Sequence, residues 1–199
     1  MEAFLSLEHM LRHAWNMIFQ GTVKRNSPLR EVVLSTIDEH GVPQNRMVIL
    51  RKVEVADRRL TFFTDYRSGK INDIQSSQHI SLLFWDSKKR VQIRCVGQLR
   101  MYKGDSLSKM YWDRIPKQGR GLYATIAPPG TPMPEDGVYM PPDWEERSLP
   151  ETDMIAYPNF CVLICEVSKL DVLHLGREQH QRGGFHWNGN SWSMKWLIP

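Results

Sequence analysis

The feature that most constrains the fold is a succession of short strand-like segments joined by polar turns. Between Glu31 and Met101, several segments rich in β-branched and aromatic residues are separated by turn signals such as Asp38-Glu39-His40-Gly41. More strand-like segments follow Phe160, and Asn188-Gly189-Asn190 indicates a closing hairpin. The segments do not alternate with helices as a parallel sheet requires. The pattern therefore predicts a mainly β fold, a closed or split antiparallel barrel with peripheral helices, rather than a doubly wound fold.

Hydrophobic periodicity and turn residues set the expected boundaries. We predict strands over residues 31–37, 44–53, 60–64, 79–85, 90–101, 160–167, 170–175, 182–187 and 191–197. We predict an amphipathic helix within residues 1–25, a short helix with Ser68 as its N-cap, and a third helix over 104–114. The segment 115–159 carries most of the prolines, so we expect an extended loop without regular structure there. The whole chain, 1–199, is expected to form one domain.

Composition and charge exclude several classes of protein. A hydrophobic content of 41% allows a real core, and the net charge of +4 comes from lysines and arginines spread along the chain, which argues against a nucleic-acid partner. No apolar run has the length of a membrane span, and the charged residues within 1–20 do not fit a signal peptide. Three cysteines in hydrophobic settings (Cys95, Cys161 and Cys165) favour a reducing cytoplasm over a disulfide framework.

Common catalytic and metal-binding motifs are absent from the sequence. Cys161 and Cys165 have no second cysteine pair, so core packing is favoured over structural zinc. His174, His180 and His186 are close only in sequence, and we expect no metal site from them. No Gly-x-Ser-x-Gly, Walker or Gly-x-Gly-x-x-Gly motif is present, so nothing local indicates a hydrolase, an NTPase or a Rossmann dehydrogenase.

A basic hairpin at residues 46–70 is the first candidate for a ligand site. Arg46 and Arg51 belong to its first strand, and Arg67 and Lys70 follow its second. Such a rim can hold an anionic ligand, although the same arginines could simply be solvated. Because Arg46 and Arg51 are five residues apart, a regular strand directs them to opposite faces, so they are not expected to bind the same phosphate.

Several ordered motifs resemble the pyridoxamine 5'-phosphate oxidase family of the FMN-binding split-barrel superfamily. The motifs are Asn45-Arg46-Met47-Val48-Ile49-Leu50-Arg51, Phe63-Thr64-Asp65-x-Arg67-Ser68-x-Lys70, Ser81-Leu82-Leu83-Phe84, Gln92-Ile93-Arg94-Cys95-Val96-Gly97 and Trp192 with Leu197-Ile198-Pro199. The segment Pro128-Pro129-Gly130-Thr131-Pro132 and the tail from Leu175 to Arg182 resemble the Alr4036-type branch. Together the motifs span residues 27–199 in order, which makes the resemblance specific.

The resemblance implies an antiparallel Greek-key split barrel that forms a homodimer with FMN in clefts at the dimer interface. It assigns cofactor contacts to Arg46, Met47, Val48, Ile49, Phe63, Thr64, Arg67, Ser68, Lys70, Gln92 and Arg182. The chemistry is consistent, because the FMN phosphate is a dianion that Arg46 and Lys70 can neutralise. An amide such as Gln92 can both donate to and accept from the flavin edge.

The resemblance also implies an oxidase that acts on a phosphorylated pyridine amine or alcohol. Hydride passes from the substrate C4' to flavin N5, and oxygen reoxidises the flavin to give pyridoxal 5'-phosphate and hydrogen peroxide. The implied substrate contacts are Arg51, Tyr111, Arg114 and His180, with Arg182 beside the flavin.

Three departures from the family pattern affect the substrate more than the cofactor. Tyr111 and Arg114 are one residue too close together, the tail arginine that should precede His180 by two residues is Glu178, and the phosphate loop reads Ser68-Gly69-Lys70 instead of Ser-Arg-Lys. An FMN-dependent reductase that uses NAD(P)H, and a flavin-binding module without turnover, therefore remain alternatives.

Overall fold

The computed structural model describes residues 3–199 as an antiparallel sheet with helices around it. The strands are β1 (Glu31–Ile37), β2 (Pro43–Glu54), β3 (Arg59–Asp65), β4 (His79–Asp86), β5 (Val91–Tyr102), β6 (Phe160–Leu175), β7 (His180–Trp187) and β8 (Trp192–Leu197). The helices are α1 (Leu7–Val23), α2 (Lys70–Ser76), α3 (Ser106–Trp112), α4 (Lys117–Arg120) and α5 (Leu149–Ala156). Short 3₁₀ turns lie at Pro28–Arg30, Gly121–Tyr123 and Tyr157–Asn159.

Six strands close into a barrel, which confirms the predicted fold class. The sheet order is β3-β2-β1-β4-β5-β6-β7-β8, and β3 also pairs with β6, so the first six strands form a ring. Three consecutive strands with the fourth lying beside the first form a Greek key. Since β7 and β8 continue outward from β6, they extend the sheet beyond the barrel.

Strand β6 is one continuous strand, which corrects the prediction of two strands at 160–167 and 170–175. Val96 of β5 pairs with Lys169 while Gly97 pairs with Val167, so Ser168 is an extra residue, a β-bulge. A Cβ on Gly97 would lie 2.3 Å from the carbonyl oxygen of Glu166, so only glycine fits at this close crossing. The polar residues near 168 that looked like a strand break in the sequence mark this bulge.

The predicted amphipathic helix covers the barrel core. Ser6 caps α1 by accepting a hydrogen bond from the backbone N–H of His9. Met10 and Ile18 of α1 are fully buried and belong to the same cluster as barrel residues such as Leu34 and Phe84. Helix α1 therefore shields the barrel from solvent, as its sequence pattern predicted.

The proline-rich segment is more ordered than predicted. It contains α4 and α5, and Pro150 lies in the first turn of α5, where its missing N–H costs nothing. Ser148 and Glu151 form a capping box that starts this helix. The segment packs on the barrel through a second hydrophobic cluster that includes Trp112, Tyr123 and Phe160. Prolines at a helix start and a buried aromatic cluster explain why the expectation of a structureless loop was wrong.

All three cysteines are buried as free thiols. Burial raises the pKa of Cys161 to about 11 and that of Cys165 to about 12, and it also raises the pKa of Cys95. Within residues 3–199, none of the helices combines the length and apolar character needed to cross a membrane.

Candidate functional site

Arg46 and Lys70, the two cations predicted to bind the cofactor phosphate, line the same cavity. The cavity, of about 470 Å³, lies between the β1–β2 turn and α2. Arg46 reaches it from β2 and Lys70 from the first position of α2. Burial lowers the pKa of Lys70, and the nearby positive charge of Arg46 lowers it further. The two cations are therefore close enough to act on one ligand.

Two groups that sequence reasoning did not single out hold Arg46. Its Nη2 lies 3.0 Å from Oδ2 of Asp73, and its Nη1 donates to Oγ1 of Thr36. Thr36 is itself buried and donates to Oδ2 of Asp73 at 2.6 Å. Because Thr36 and Asp73 lie 37 residues apart, no local sequence signal could have revealed this network.

Lys70 is held by two hydroxyls, those of Thr64 and Ser68, which the sequence assigned to the cofactor rather than to Lys70. Its Nζ donates to Oγ1 of Thr64 at 3.0 Å and to Oγ of Ser68 at 2.8 Å. The expectation that Ser68 caps α2 was wrong, because the N-cap is Gly69 and no side chain caps the helix. The Ser68 hydroxyl instead donates to the backbone carbonyl of Asp65 at 2.7 Å. The Ser68 hydroxyl therefore closes a local turn with Asp65 instead of capping α2.

This arrangement fits the phosphate of FMN. Arg46 and Lys70 converge on a cavity that is also lined by the carboxylates Asp38, Glu39 and Asp73. Arg46 is paired with Asp73, whereas the Lys70 ammonium is held by hydroxyls, so a phosphate would supply the negative charge that Lys70 lacks. In addition, Gly69 lines the cavity, and a Cβ there would meet nothing within 4 Å, so the loop leaves room for a ligand. Residues Arg46, Thr64, Ser68 and Lys70 would hold this end of the cofactor.

The residues after Arg46 alternate between the two faces of β2. Met47 is 56% exposed on the outer face, and Ile49 points the same way. Val48 points into the barrel core. Of the three hydrophobic residues that follow Arg46 and were predicted to contact the cofactor, Met47 and Ile49 therefore present side chains to the outer face, while Val48 can offer a ligand only its backbone.

Arg67 is engaged away from the Arg46–Lys70 cavity. Its guanidinium forms a two-pronged ion pair with Asp65, with Nη2 2.7 Å from Oδ2 and Nε 3.1 Å from Oδ1. It also donates to the backbone carbonyl of Thr125 at 2.8 Å and to its hydroxyl. Arg67 therefore links the end of β3 to the proline-rich segment.

Arg51, Phe63 and Tyr111 form a second group on the outer face. The guanidinium carbon of Arg51 lies 5.4 Å from the ring centre of Phe63, a cation–π contact, and Phe63 packs edge-on against Tyr111 at 5.3 Å. Burial lowers the pKa of Arg51. Arg46 and Arg51 have different surroundings, as strand parity predicted. Arg114 follows α3 and is exposed, with no contact to this group among the described interactions.

Gln92 and Arg182 lie on the outer face of the sheet, on strands β5 and β7. Both pair with Leu173 of β6, Gln92 from one side and Arg182 from the other. Arg182 is bound to Asp171, with 2.9 Å between Nη2 and Oδ2, and Arg94 shares the same carboxylate at 2.8 Å. These two partners were not predicted from the sequence.

The predicted cofactor residues therefore fall into two sets on opposite faces. Arg46 pairs with the core residue Leu34, so it shares the inner face of the sheet. Gln92 pairs with Trp85, which is 42% exposed on the outer face. His180 begins β7 and is exposed, two residues before Arg182 and on the same face.

Comparison with known proteins agrees with this fold. Residues 12–103, which contain the Arg46–Lys70 stretch, match the family described as pyridoxamine 5'-phosphate oxidase, FMN-binding domain. A pyridoxine/pyridoxamine 5'-phosphate oxidase from Ruegeria sp. (strain TM1040) is 33% identical over 95 residues, which is 47% of this chain and 46% of the relative. Pyridoxine/pyridoxamine 5'-phosphate oxidase 2 from Arabidopsis thaliana is 26% identical over 175 residues, covering 83% of this chain and 85% of the relative. The chain therefore matches about half the length of the Ruegeria relative.

Solved structures share the fold over the whole chain. A pyridoxamine 5'-phosphate oxidase-related, FMN-binding protein from Nostoc punctiforme superposes with a TM-score of 0.78 at 24% identity, covering 100% of both chains. PhzG from Burkholderia lata superposes with a TM-score of 0.72 at 17% identity, covering 98% of this chain and 93% of that chain. The fold is thus that of the FMN-binding split barrels. Residues 12–103 thus resemble the FMN-binding domain of the pyridoxamine 5'-phosphate oxidase family, and the relatives named above carry the same family name.

Proposed function

We propose that this protein is an FMN-dependent oxidase that acts on a phosphorylated pyridine amine or alcohol, such as pyridoxamine or pyridoxine 5'-phosphate. The products would be pyridoxal 5'-phosphate and hydrogen peroxide, and an amine substrate would also consume water and release ammonia as its imine is hydrolysed. The reaction would belong to pyridoxal phosphate biosynthesis. The observation that carries the proposal is the separation of two cationic positions. Arg46 and Lys70 line one cavity, whereas Arg51 lies against Phe63 beside Tyr111. Two separate phosphates, one from the cofactor and one from the substrate, require such a division.

On the cofactor side, Arg46 and Lys70 bind the phosphate by charge and hydrogen bonding. The hydroxyls of Thr64 and Ser68 hold the Lys70 ammonium in place at 3.0 and 2.8 Å, and Asp73 holds Arg46. When bound, FMN supplies a hydride acceptor at N5 that oxygen can regenerate. The protein contributes binding and orientation, and we assign no general acid or base to its side chains.

On the substrate side, Arg51 is the first candidate for the phosphate contact. Its guanidinium is partly removed from water beside Phe63, which strengthens its interaction with an anion. The planar guanidinium can bind a phosphate through two hydrogen bonds. Tyr111, Arg114 and His180 would complete the substrate contacts.

A homodimer would bring the two sets of cofactor residues together. Within one chain, Arg46 and Lys70 face one side of the sheet and Gln92 and Arg182 the other. A second copy could supply Gln92 and Arg182 to the flavin whose phosphate is held by the first. Exposed Met47 and Trp85 on the outer face support an interface there. The three free thiols support a cytoplasmic location for this dimer.

A peroxide assay tests the proposed activity. FMN-loaded protein is mixed with pyridoxamine 5'-phosphate under air, and hydrogen peroxide and pyridoxal 5'-phosphate are measured together. We expect the two products in equal amounts, and much slower turnover of unphosphorylated pyridoxamine, because it lacks the group that Arg51 would bind. Equal rates with both substrates would contradict the role of Arg51.

Gly69 and Glu178 depart from the family pattern, which is a reason to test for an FMN-dependent reductase as well. Under anaerobic conditions, bleaching of the bound flavin by NADPH combined with no peroxide from pyridoxamine 5'-phosphate would identify a reductase. A protein that binds FMN but responds to neither reagent would be a flavin-binding module without turnover.

A further inference from the structure

We infer that the protein has a second anion-binding site, which takes a compact diphosphate group at a basic cavity separate from the Arg46–Lys70 cavity. The basic cavity is defined by the β4–β5 turn, the β6–β7 loop and the N-terminal segment, and has a volume of about 660 Å³. Its charged and titratable lining residues are Lys88, Lys89, Arg90, His174, Arg177 and Glu178. It shares no lining residue with the Arg46–Lys70 cavity. The inference is independent of the proposed oxidase activity.

The β4–β5 turn presents three consecutive cations on a fixed backbone. Oδ1 of Asp86 accepts hydrogen bonds from the backbone N–H groups of Lys88 and Lys89, at 3.0 and 2.9 Å. Arg90 adopts a left-handed conformation with φ of 55°, and its carbonyl oxygen accepts from the backbone N–H of Leu175 at 2.9 Å. The backbone of the turn is therefore held in place by its hydrogen bond to the end of β6.

The other two walls are also fixed. In the β6–β7 loop, a Cβ on Gly176 would lie 2.3 Å from the carbonyl oxygen of Gln179, so the loop turns as tightly as only glycine allows. In the N-terminal segment, the backbone of Phe4 exchanges two hydrogen bonds with the side-chain amide of Gln181, at 2.6 and 3.0 Å. Arg177 thus faces the β4–β5 turn from a constrained loop.

The charge of the basic cavity is strongly unbalanced. Lys88, Lys89, Arg90 and Arg177 contribute four cations, and Glu178 is the sole carboxylate among the described lining residues. Among residues 3–199, none of these five charged side chains takes part in an ion pair within 4.0 Å. Two or more negative charges on one small ligand would compensate this excess, which favours a diphosphate over a single carboxylate.

His174 is a second, independent sign of a ligand. It is only 2% exposed, lines the basic cavity, and its Nδ1 is buried without a hydrogen-bond partner in the described part of the chain. A buried polar atom without a partner is costly, and a phosphate oxygen could accept from a protonated Nδ1. Burial lowers the pKa of His174, and nearby positive charge including Arg90 lowers it further. A bound anion would offset the effect of the nearby positive charge on this pKa.

Calorimetry with inorganic pyrophosphate tests the site directly. The titration uses protein saturated with FMN, so that pyrophosphate does not compete for Arg46 and Lys70. We expect measurable binding that weakens at least about tenfold in Lys89→Gln/Arg177→Gln, since each charge-assisted contact is worth about 1.5–3 kcal/mol. The matched control is Lys24→Gln/Arg25→Gln, which removes two exposed cations just after α1 and should leave the affinity unchanged.

A nuclear magnetic resonance signal from His174 supplies a second readout. Pyrophosphate should shift the imidazole ¹⁵N resonances of His174 in the wild type and not in Lys89→Gln/Arg177→Gln. Titrations with ADP and with orthophosphate distinguish a nucleotide diphosphate from free pyrophosphate and from a single phosphate. Absence of pyrophosphate binding, or equal weakening in both double variants, would overturn the inference. Neither result depends on whether the protein oxidises pyridoxamine 5'-phosphate.

Discussion

Lys70 and Arg46 line one cavity, in which burial lowers the pKa of Lys70 and the positive charge of Arg46 lowers it further. The two residues come from different elements, β2 and α2, and lie 24 positions apart in the sequence (70 − 46 = 24). Asp73 compensates Arg46, whereas the hydrogen-bond partners of the Lys70 ammonium are the neutral hydroxyls of Thr64 and Ser68, so an anionic ligand would compensate Lys70. This relationship is the basis of the cofactor assignment.

Removing both cations should abolish FMN retention. We expect Arg46→Ala combined with Lys70→Ala to weaken FMN binding by at least about 100-fold, since each lost charge-assisted contact costs about 1.5–3 kcal/mol. Quenching of flavin fluorescence measures the affinity. Circular dichroism should show the wild-type secondary structure, because neither side chain belongs to the hydrophobic core.

Arg51→Ala is the matched control for this experiment. It removes one arginine from the same strand, β2, but from the group beside Phe63. We expect FMN affinity to be unchanged and the KM for a phosphorylated substrate to rise. An equal loss of FMN in Arg51→Ala would show that the two phosphates have been assigned to the wrong arginines.

The lowered pKa of Lys70 predicts a pH dependence of FMN binding. Without FMN, burial and then Arg46 lower this pKa below 10.5, so the ammonium is lost at a lower pH than in the unfolded chain. The FMN phosphate favours the charged form. We therefore expect the Kd for FMN to increase as the pH rises through the lowered pKa, with proton uptake on binding in that range. Without FMN, the buried charge of Lys70 lowers the free energy of unfolding at every pH below the lowered pKa. This destabilisation becomes smaller as the pH rises from the lowered pKa towards 10.5, the pKa in the unfolded chain.

Lys70→Arg separates this effect from general alkaline unfolding. A guanidinium stays charged throughout the range, so the variant should bind FMN with a Kd that no longer depends on pH there. If the wild type and Lys70→Arg weaken in parallel as the pH rises, titration of Lys70 is not the cause.

Arg67→Ala should loosen the proline-rich segment without releasing FMN. Its guanidinium joins Asp65, which is 7% exposed, to Thr125, and its removal leaves a buried carboxylate without its cation. We expect a loss of about 1–3 kcal/mol in the free energy of unfolding. Hydrogen exchange should quicken within residues 115–159. A large loss of FMN affinity would instead show that Arg67 contacts the cofactor phosphate.

The buried thiols should be inert in the folded protein. The pKa is about 11 for Cys161 and about 12 for Cys165, and that of Cys95 is also raised, so no thiolate is available near neutral pH. We expect Ellman's reagent to label none of the three in the native state and all three in denaturant. Rapid native labelling of any one would contradict the buried placement.

Local sequence patterns predicted the elements of the barrel well because each pattern acts within a few residues. Strand β1 has the predicted bounds of 31–37, and the hairpin at Asn188-Gly189-Asn190 joins β7 to β8 as expected. The same patterns failed where a long-range contact decides the outcome. Strand β6 continues through Ser168 because β5 pairs on both sides of the bulge, and the proline-rich segment folds because its aromatic residues find a buried partner in Phe160.

In the candidate site, too, residues within a local motif were predicted and partners brought in by long-range packing were missed. Arg46, Thr64, Ser68 and Lys70 converge as predicted, because the motif supplies them in order on neighbouring elements. Their partner Asp73, together with Thr36, was missed because it depends on how α2 packs against β1. The capping role of Ser68 was also wrong, since its hydroxyl bonds within the turn instead.

The most direct test of the central claim is a titration of the purified wild-type protein with FMN. We predict that flavin fluorescence is quenched to saturation at equal molar amounts of FMN and protein chain, and that riboflavin, which lacks the phosphate, binds much more weakly. A protein that takes up no FMN, or that binds riboflavin as tightly as FMN, would contradict the assignment of Arg46 and Lys70 to the cofactor phosphate.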